Sequence, residues 1–122
     1  MRAKRDGRRA FALTEYGGYS HAVAGHVWSE EKSFGYRMFP DRAALTDAYK
    51  KLHEEQILPL LDKGLCVTIY TQLTDVEGEV NGLFTYDRAL CKLDPVAVRA
   101  INKLLSYERQ EVPLPENEQA PE

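Results

Sequence analysis

Apolar residues fall along this chain in two patterns, short unbroken runs and stripes at helical spacing. Ala10-Phe11-Ala12-Leu13 is the first run, and it predicts a strand over residues 10–14. Leu65-Cys66-Val67-Thr68-Ile69-Tyr70-Thr71 is the second. Near-continuous and rich in β-branched residues, it is what a strand buried on both faces of a parallel sheet requires. Between them, Leu45, Tyr49, Leu52 and Gln56, widened by Ala48 and Leu60, mark one face of a helix over residues 42–62. Asp41 suits its N-cap, Pro59 a kink or late turn, and Lys63-Gly64 its stop. A last helix opens on Asp94-Pro95, a cap followed by a first-turn proline, and carries Ala97, Val98, Ile101, Leu104 and Leu105 to an end near Tyr107.

Two stretches have neither period. Residues 16–40 hold Gly17, Gly18, Gly25 and Gly35 together with Tyr16, Tyr19, Trp28, Phe34, Tyr36 and Phe39. A loop of that length in a compact domain is usually functional or disordered. So many rings argue for a loop that folds down and buries area. Residues 72–88 form the second irregular stretch, with Asp75, Glu77 and Glu79 alternating with other residues.

The order is strand, long loop, helix, strand, loop, helix. Such alternation with buried strands implies a parallel α/β arrangement with right-handed crossovers. Two parallel strands cannot cover their own faces and edges, and a full (β/α)₈ barrel takes roughly 250 residues. At 122 residues the chain has the length of one domain, or of about a quarter of such a barrel with two elaborated loops.

Composition narrows the class. An apolar content of 43% with 29% charged residues is that of a globular domain, and a net charge of −3 gives no drive toward nucleic acid or anionic lipid. The charge is uneven, with Arg2, Lys4, Arg5, Arg8 and Arg9 at the start and Glu108, Glu111, Glu116, Glu118 and Glu122 at the end. Residues 1–9 read as a solvated basic leader without interleaved aromatic rings for base stacking. Residues 108–122, with Pro113, Pro115 and Pro121, read as a disordered acidic tail. No stretch has the apolar length of a membrane span or signal core, so a cytoplasmic location is expected. Cys66 reads as a small buried apolar residue, and neither it nor Cys91 has a partner at metal-binding spacing.

Candidate chemistry concentrates at Thr14-Glu15-Tyr16-Gly17-Gly18. A carboxylate at the end of a buried strand is held rigidly, and two following glycines turn the chain and leave room for a substrate. A barrel enzyme would hold a nucleophile there; an ordinary surface glutamate fits the same five residues. His21 and His26 suit a ligand's hydroxyl groups or loop backbone groups, and Trp28 a stacking face or a core anchor. Ser20-His21 lacks the order of a hydrolase triad. Counting from Asp75 puts Val80 at position six and Tyr86 at position twelve, which excludes an EF-hand and leaves a looser cation site or a solvated loop.

Phe11-Ala12-Leu13-Thr14-Glu15-Tyr16-Gly17-Gly18 resembles the nucleophile strand of glycoside hydrolase family 2, the β-galactosidase and β-glucuronidase family. Ile69-Tyr70-Thr71-Gln72-Leu73-Thr74-Asp75-Val76-Glu77-Gly78-Glu79-Val80-Asn81-Gly82-Leu83-Phe84-Thr85-Tyr86-Asp87-Arg88 is similar to the last barrel strand and following loop of bacterial members. The resemblance implies that residues 10–107 are the last two βα units (β7-α7-β8-α8) of a catalytic TIM barrel that hydrolyses O-glycosyl bonds with retention. Carried over by position, Glu15 is the nucleophile, and Tyr16, Trp28, Tyr70 and Gln72 belong to the sugar-binding wall. The implied partners are a carbohydrate substrate and the amino-terminal barrel half or full-length chain, with no nucleic acid, membrane, metal or cofactor.

One departure limits this expectation. The family's acid/base glutamate follows an asparagine at the end of the fourth strand. The one Asn-Glu here, Asn117-Glu118, lies in the tail. General acid help is worth roughly 10²–10⁴-fold, so the chain alone is expected to be inactive. The alternative expectation is a non-catalytic carbohydrate-binding or assembly module that uses the aromatic loop.

Overall fold

The computed structural model describes residues 9–106; the basic leader, apart from Arg9, and the acidic tail lie outside them. β1 (Phe11–Gly17) and β4 (Leu65–Thr71) pair in parallel, and the helical segment that follows the aromatic loop carries the chain between them. That segment is α1 (Arg42–Leu52), a wide π-helical turn (His53–Ile57) and the short α2 (Leu58–Leu61). Within the aromatic loop, β2 (Tyr19–Ser20) and β3 (Arg37–Met38) make a second, two-residue parallel pairing. α3 (Pro95–Leu104) closes the described chain.

The caps act as their residue types dictate. Asp41 Oδ1 accepts from the amide of Ala44 at 2.8 Å, and Asp94 Oδ1 accepts from Val96 at 2.9 Å. Gly64 ends the crossover with φ of 86°, a conformation that suits glycine.

The helix buries a different stripe from the expected one. Its buried residues are Leu45, Tyr49, His53 and Ile57, whereas Leu52 is half-buried and Gln56 exposed. A constant spacing of four drifts round a helix of 3.6 residues per turn. One wide turn lets the stripe stay on the sheet side. The same turn precedes Pro59, which has no amide to donate, so the break in the ladder falls where a helical bond is already lost.

The core lies between α1 and α3, where Leu45 and Tyr49 meet Leu93 and Ile101, with Tyr19, Phe39, Tyr70, Leu83 and Val98 packed round them. β1 and β4 are each other's sole strand partner among the described residues. One sheet face lies on the helix layer. On the other, Val67 is 45% and Ile69 52% exposed, so β4 is not covered on both faces as its composition suggests. Cys66, expected to be buried, is exposed. It is the extra residue at a register shift, since Phe11 pairs with Leu65 but Ala12 with Val67.

Residues 72–93 and the aromatic loop are knitted together. The amide of Phe34 bonds the Gly78 carbonyl at 2.8 Å, that of Val80 the Phe34 carbonyl at 3.0 Å, and that of His21 the Val80 carbonyl at 3.0 Å. Beneath these bonds the Lys92 ammonium reaches Asp75 Oδ1 at 2.6 Å, with both side chains wholly buried.

Candidate active site

β1 runs past Glu15 to Gly17 rather than ending at Thr14, because the chain bulges instead of leaving the sheet. Leu13 pairs with Thr68 and Tyr16 with Tyr70, so Thr14 and Glu15 together oppose Ile69. Both bulged residues are exposed, while Leu13 and Tyr16 on either side are half-buried. Glu15 therefore stands near the carboxyl end of a parallel strand, where α/β folds bind their ligands. Its carboxylate takes no hydrogen bond or ion pair among the described residues.

Gly17, at φ of 103°, begins the turn. A Cβ there would run into the ring of Tyr70. That ring cannot retreat, since it is packed edge-on to Tyr16 and Tyr49 at centroid distances of 5.5 and 5.1 Å. Gly17→Ala combines an unfavourable φ with overpacking and is expected to cost about 2–4 kcal/mol, read as a lower urea midpoint at unchanged slope.

Tyr16, Tyr49, Tyr70 and His53 form one cluster behind the bulge. The Tyr16 hydroxyl lies 2.9 Å from His53 Nε2, and the His53 ring is 4.1 Å from that of Tyr49. Burial pushes all three phenols above their ordinary range, Tyr49 to about 12, so they remain protonated donors. Burial also holds His53 below its ordinary value of 6.5, against the opposing pull of its bond to the Tyr49 carbonyl. In the interval below 6.5 the unfolded chain binds the proton and the folded chain does not. Stability is therefore expected to fall as pH drops from 6.5 through the lowered His53 pKa. A series of urea titrations across that interval checks this, and His53→Gln should flatten the slope.

Gln72 directly follows β4, and its side-chain amide donates to Asn81 Oδ1 at 2.5 Å and Glu79 Oε2 at 3.3 Å. The Thr71–Gln72 peptide bond is cis. Trp28 is 51% exposed, so the described residues cover only about half of it. Of the two loop histidines, His21 serves the backbone, with Nδ1 3.1 Å from the Phe39 carbonyl. His26 Nδ1 instead meets Asp87 Oδ2 at 2.7 Å. Hydrogen bonds from Thr85, Ala89 and His26 hold the Asp87 carboxyl well down, to about 2. Asp75, the first carboxylate of the stretch weighed as a looser cation site, is paired with Lys92.

The structure thus brings Glu15, Tyr16 and Tyr70 together at one end of the sheet, places Gln72 one residue beyond it, and sets Trp28 apart on the loop. His53 and Lys92 lie outside the set of candidate residues expected from the sequence. The signal for His53 was the Leu45, Tyr49, His53, Ile57 spacing; for Lys92 it was a single cation between the apolar Cys91 and Leu93.

No protein-family model matches this chain, and no curated protein sequence matches it.

Proposed function

We propose that this chain supplies the last two strands of a retaining β-glycosidase barrel of the glycoside hydrolase family 2 type, with Glu15 as its nucleophile. The observation that carries the reading is the bulge, which presents a carboxylate on the open face of a parallel strand–helix–strand unit. Further strands, on the same or a separate polypeptide, would pair with the open edges of β1 and β4. They would also cover Val67 and Ile69.

In the retaining reaction the Glu15 carboxylate attacks the anomeric carbon as the glycosidic bond breaks. A second carboxyl group, about 5–5.5 Å away, protonates the departing oxygen and then activates water. That second group must come from the completing strands, and placing it is their main chemical contribution. In the completed barrel Trp28 and Gln72, the latter with its amide held by Asn81 and Glu79, would be the substrate-facing members of the wall, while Tyr16 and Tyr70 would form the layer that supports the bulge. A cytoplasmic location belongs to the same proposal; what stands independently is that no described helix is long and apolar enough to cross a membrane.

The test is complementation. Mixing this chain with a polypeptide that carries the preceding barrel strands should yield hydrolysis of an aryl β-glycoside, with the β-configured sugar as first product. Association without hydrolysis would defeat the assignment.

A further inference from the structure

The crossover helix widens where it passes behind the bulge. His53 opens the wide turn and is wholly buried. Its Nδ1 lies 2.8 Å from the Tyr49 carbonyl oxygen and its Nε2 2.9 Å from the Tyr16 hydroxyl. A carbonyl oxygen can only accept, so Nδ1 carries the proton. In the neutral ring Nε2 is then the acceptor, and the Tyr16 hydroxyl donates to it. The chain of bonds runs one way, from Tyr16 through His53 to the helix backbone.

Tyr16 is well placed to transmit that hold. It makes the first register pair after the bulge, with Tyr70. Thr14 and Glu15 are exposed and Gly17 and Gly18 have no side chains, so between residues 14 and 18 the helix layer is gripped by Tyr16. Its ring meets His53 and Tyr70 at 5.6 and 5.5 Å.

We propose that His53 is the positioning residue for Glu15: by accepting from Tyr16 it holds the strand after the bulge against the helix and so sets where the carboxylate stands. The proposal rests on the reading of Glu15 as nucleophile. Its consequence is quantitative, because displacing a reacting group by about 1 Å costs on the order of 10²-fold in rate.

Two near-isosteric variants separate the two ring nitrogens. In His53→Gln the side-chain oxygen can reach the place of Nε2 and accept from Tyr16. In His53→Asn the shorter amide can reach the place of Nδ1 and donate to the Tyr49 carbonyl, but nothing replaces Nε2, and Tyr16 keeps only its strand neighbour Thr68 and loses its tie to the helix. In the complemented enzyme, His53→Asn and Tyr16→Phe should each lower kcat about 10²-fold with KM changed less than about threefold. His53→Gln should retain kcat within about fivefold, and His53→Asn with Tyr16→Phe should be no worse than either alone. Amide hydrogen exchange at Glu15 and Tyr16 should quicken at least tenfold in the Asn and Phe variants and stay near the parent rate in Gln. Equal losses in Gln and Asn, or an unchanged kcat in Tyr16→Phe, would overturn the proposal. Glu15→Gln is run alongside as the control. If it is as active as the parent, the nucleophile reading fails, and the exchange rates alone decide whether His53 holds the bulge.

Discussion

Glu15→Gln is expected to lower aryl β-glycoside hydrolysis by the complemented enzyme at least about 10⁴-fold, because the amide cannot form the glycosyl ester on which the two-step route depends. Folding should be almost untouched. Glu15 is exposed, and a near-isosteric change at such a site usually shifts stability by less than about 0.5 kcal/mol. The urea midpoint separates loss of chemistry from loss of structure. A further arm identifies the step. In Glu15→Ala, azide can enter the vacated space and attack the anomeric carbon of an aryl β-glycoside while the phenolate leaves. One inversion instead of two then gives the α-glycosyl azide. A β-configured azide, or none at all in a folded and complemented variant, would assign Glu15 another task.

The largest effect on stability is expected at Lys92. Its ammonium uses all three protons, on Asp75 Oδ1 at 2.6 Å and on the carbonyl oxygens of His21 and Val80, both at 2.9 Å. Asp75 Oδ1 also accepts from the amide of Gly82 at 2.8 Å. Burial outweighs the attraction between the pair, holding the Asp75 carboxyl above its ordinary range and the Lys92 ammonium below. Lys92→Met keeps the aliphatic volume and strands the carboxylate. The expected cost is about 3–5 kcal/mol, a large share of the roughly 5–15 kcal/mol that holds a domain folded.

The loss has a pH signature that simple cavity formation lacks. Without its cation, Asp75 binds a proton more tightly folded than unfolded. Its contribution to stability is then present at low pH and disappears as pH rises through the raised pKa. Lys92→Met should accordingly lose less relative to the parent at pH 5 than at pH 8 in urea titrations. Asp75→Asn added to Lys92→Met should recover part of the loss at pH 8.

Much of this architecture is legible in the chain because it is local. The span of β4 follows from its composition, and Asp41 and Asp94 announce the helix starts through short-range capping chemistry. The expected β1 fell short because a bulge is a mismatch between two strands, and no single strand records it. An ideal helical period places Leu52 and Gln56, rather than His53 and Ile57, on the buried face. The wide turn answers to the sheet beneath it and to Pro59, so the period was not the local one. The expectation that β4 is covered on both faces follows from its hydrophobicity, which reports what a strand is suited to pack against, whereas Val67 and Ile69 stay about half exposed among the described residues. Glu15 stood out because strand, carboxylate and glycines adjoin in the sequence. Its support did not, since Tyr16 and His53 are 37 residues apart.

The Lys92 contacts also bear on how substrate would enter. One ammonium group binds the aromatic loop at His21 and the acidic loop at Asp75 and Val80. Lifting the aromatic loop would break the Lys92 bond to the His21 carbonyl together with the backbone bonds to Gly78 and Val80, and lifting the acidic loop would part Asp75 from Lys92. The two should share a single opening equilibrium, rare and cooperative, rather than act as independent flaps. Access to Glu15 would then be governed by whatever approaches along the open sheet face, with the loops forming a standing rim.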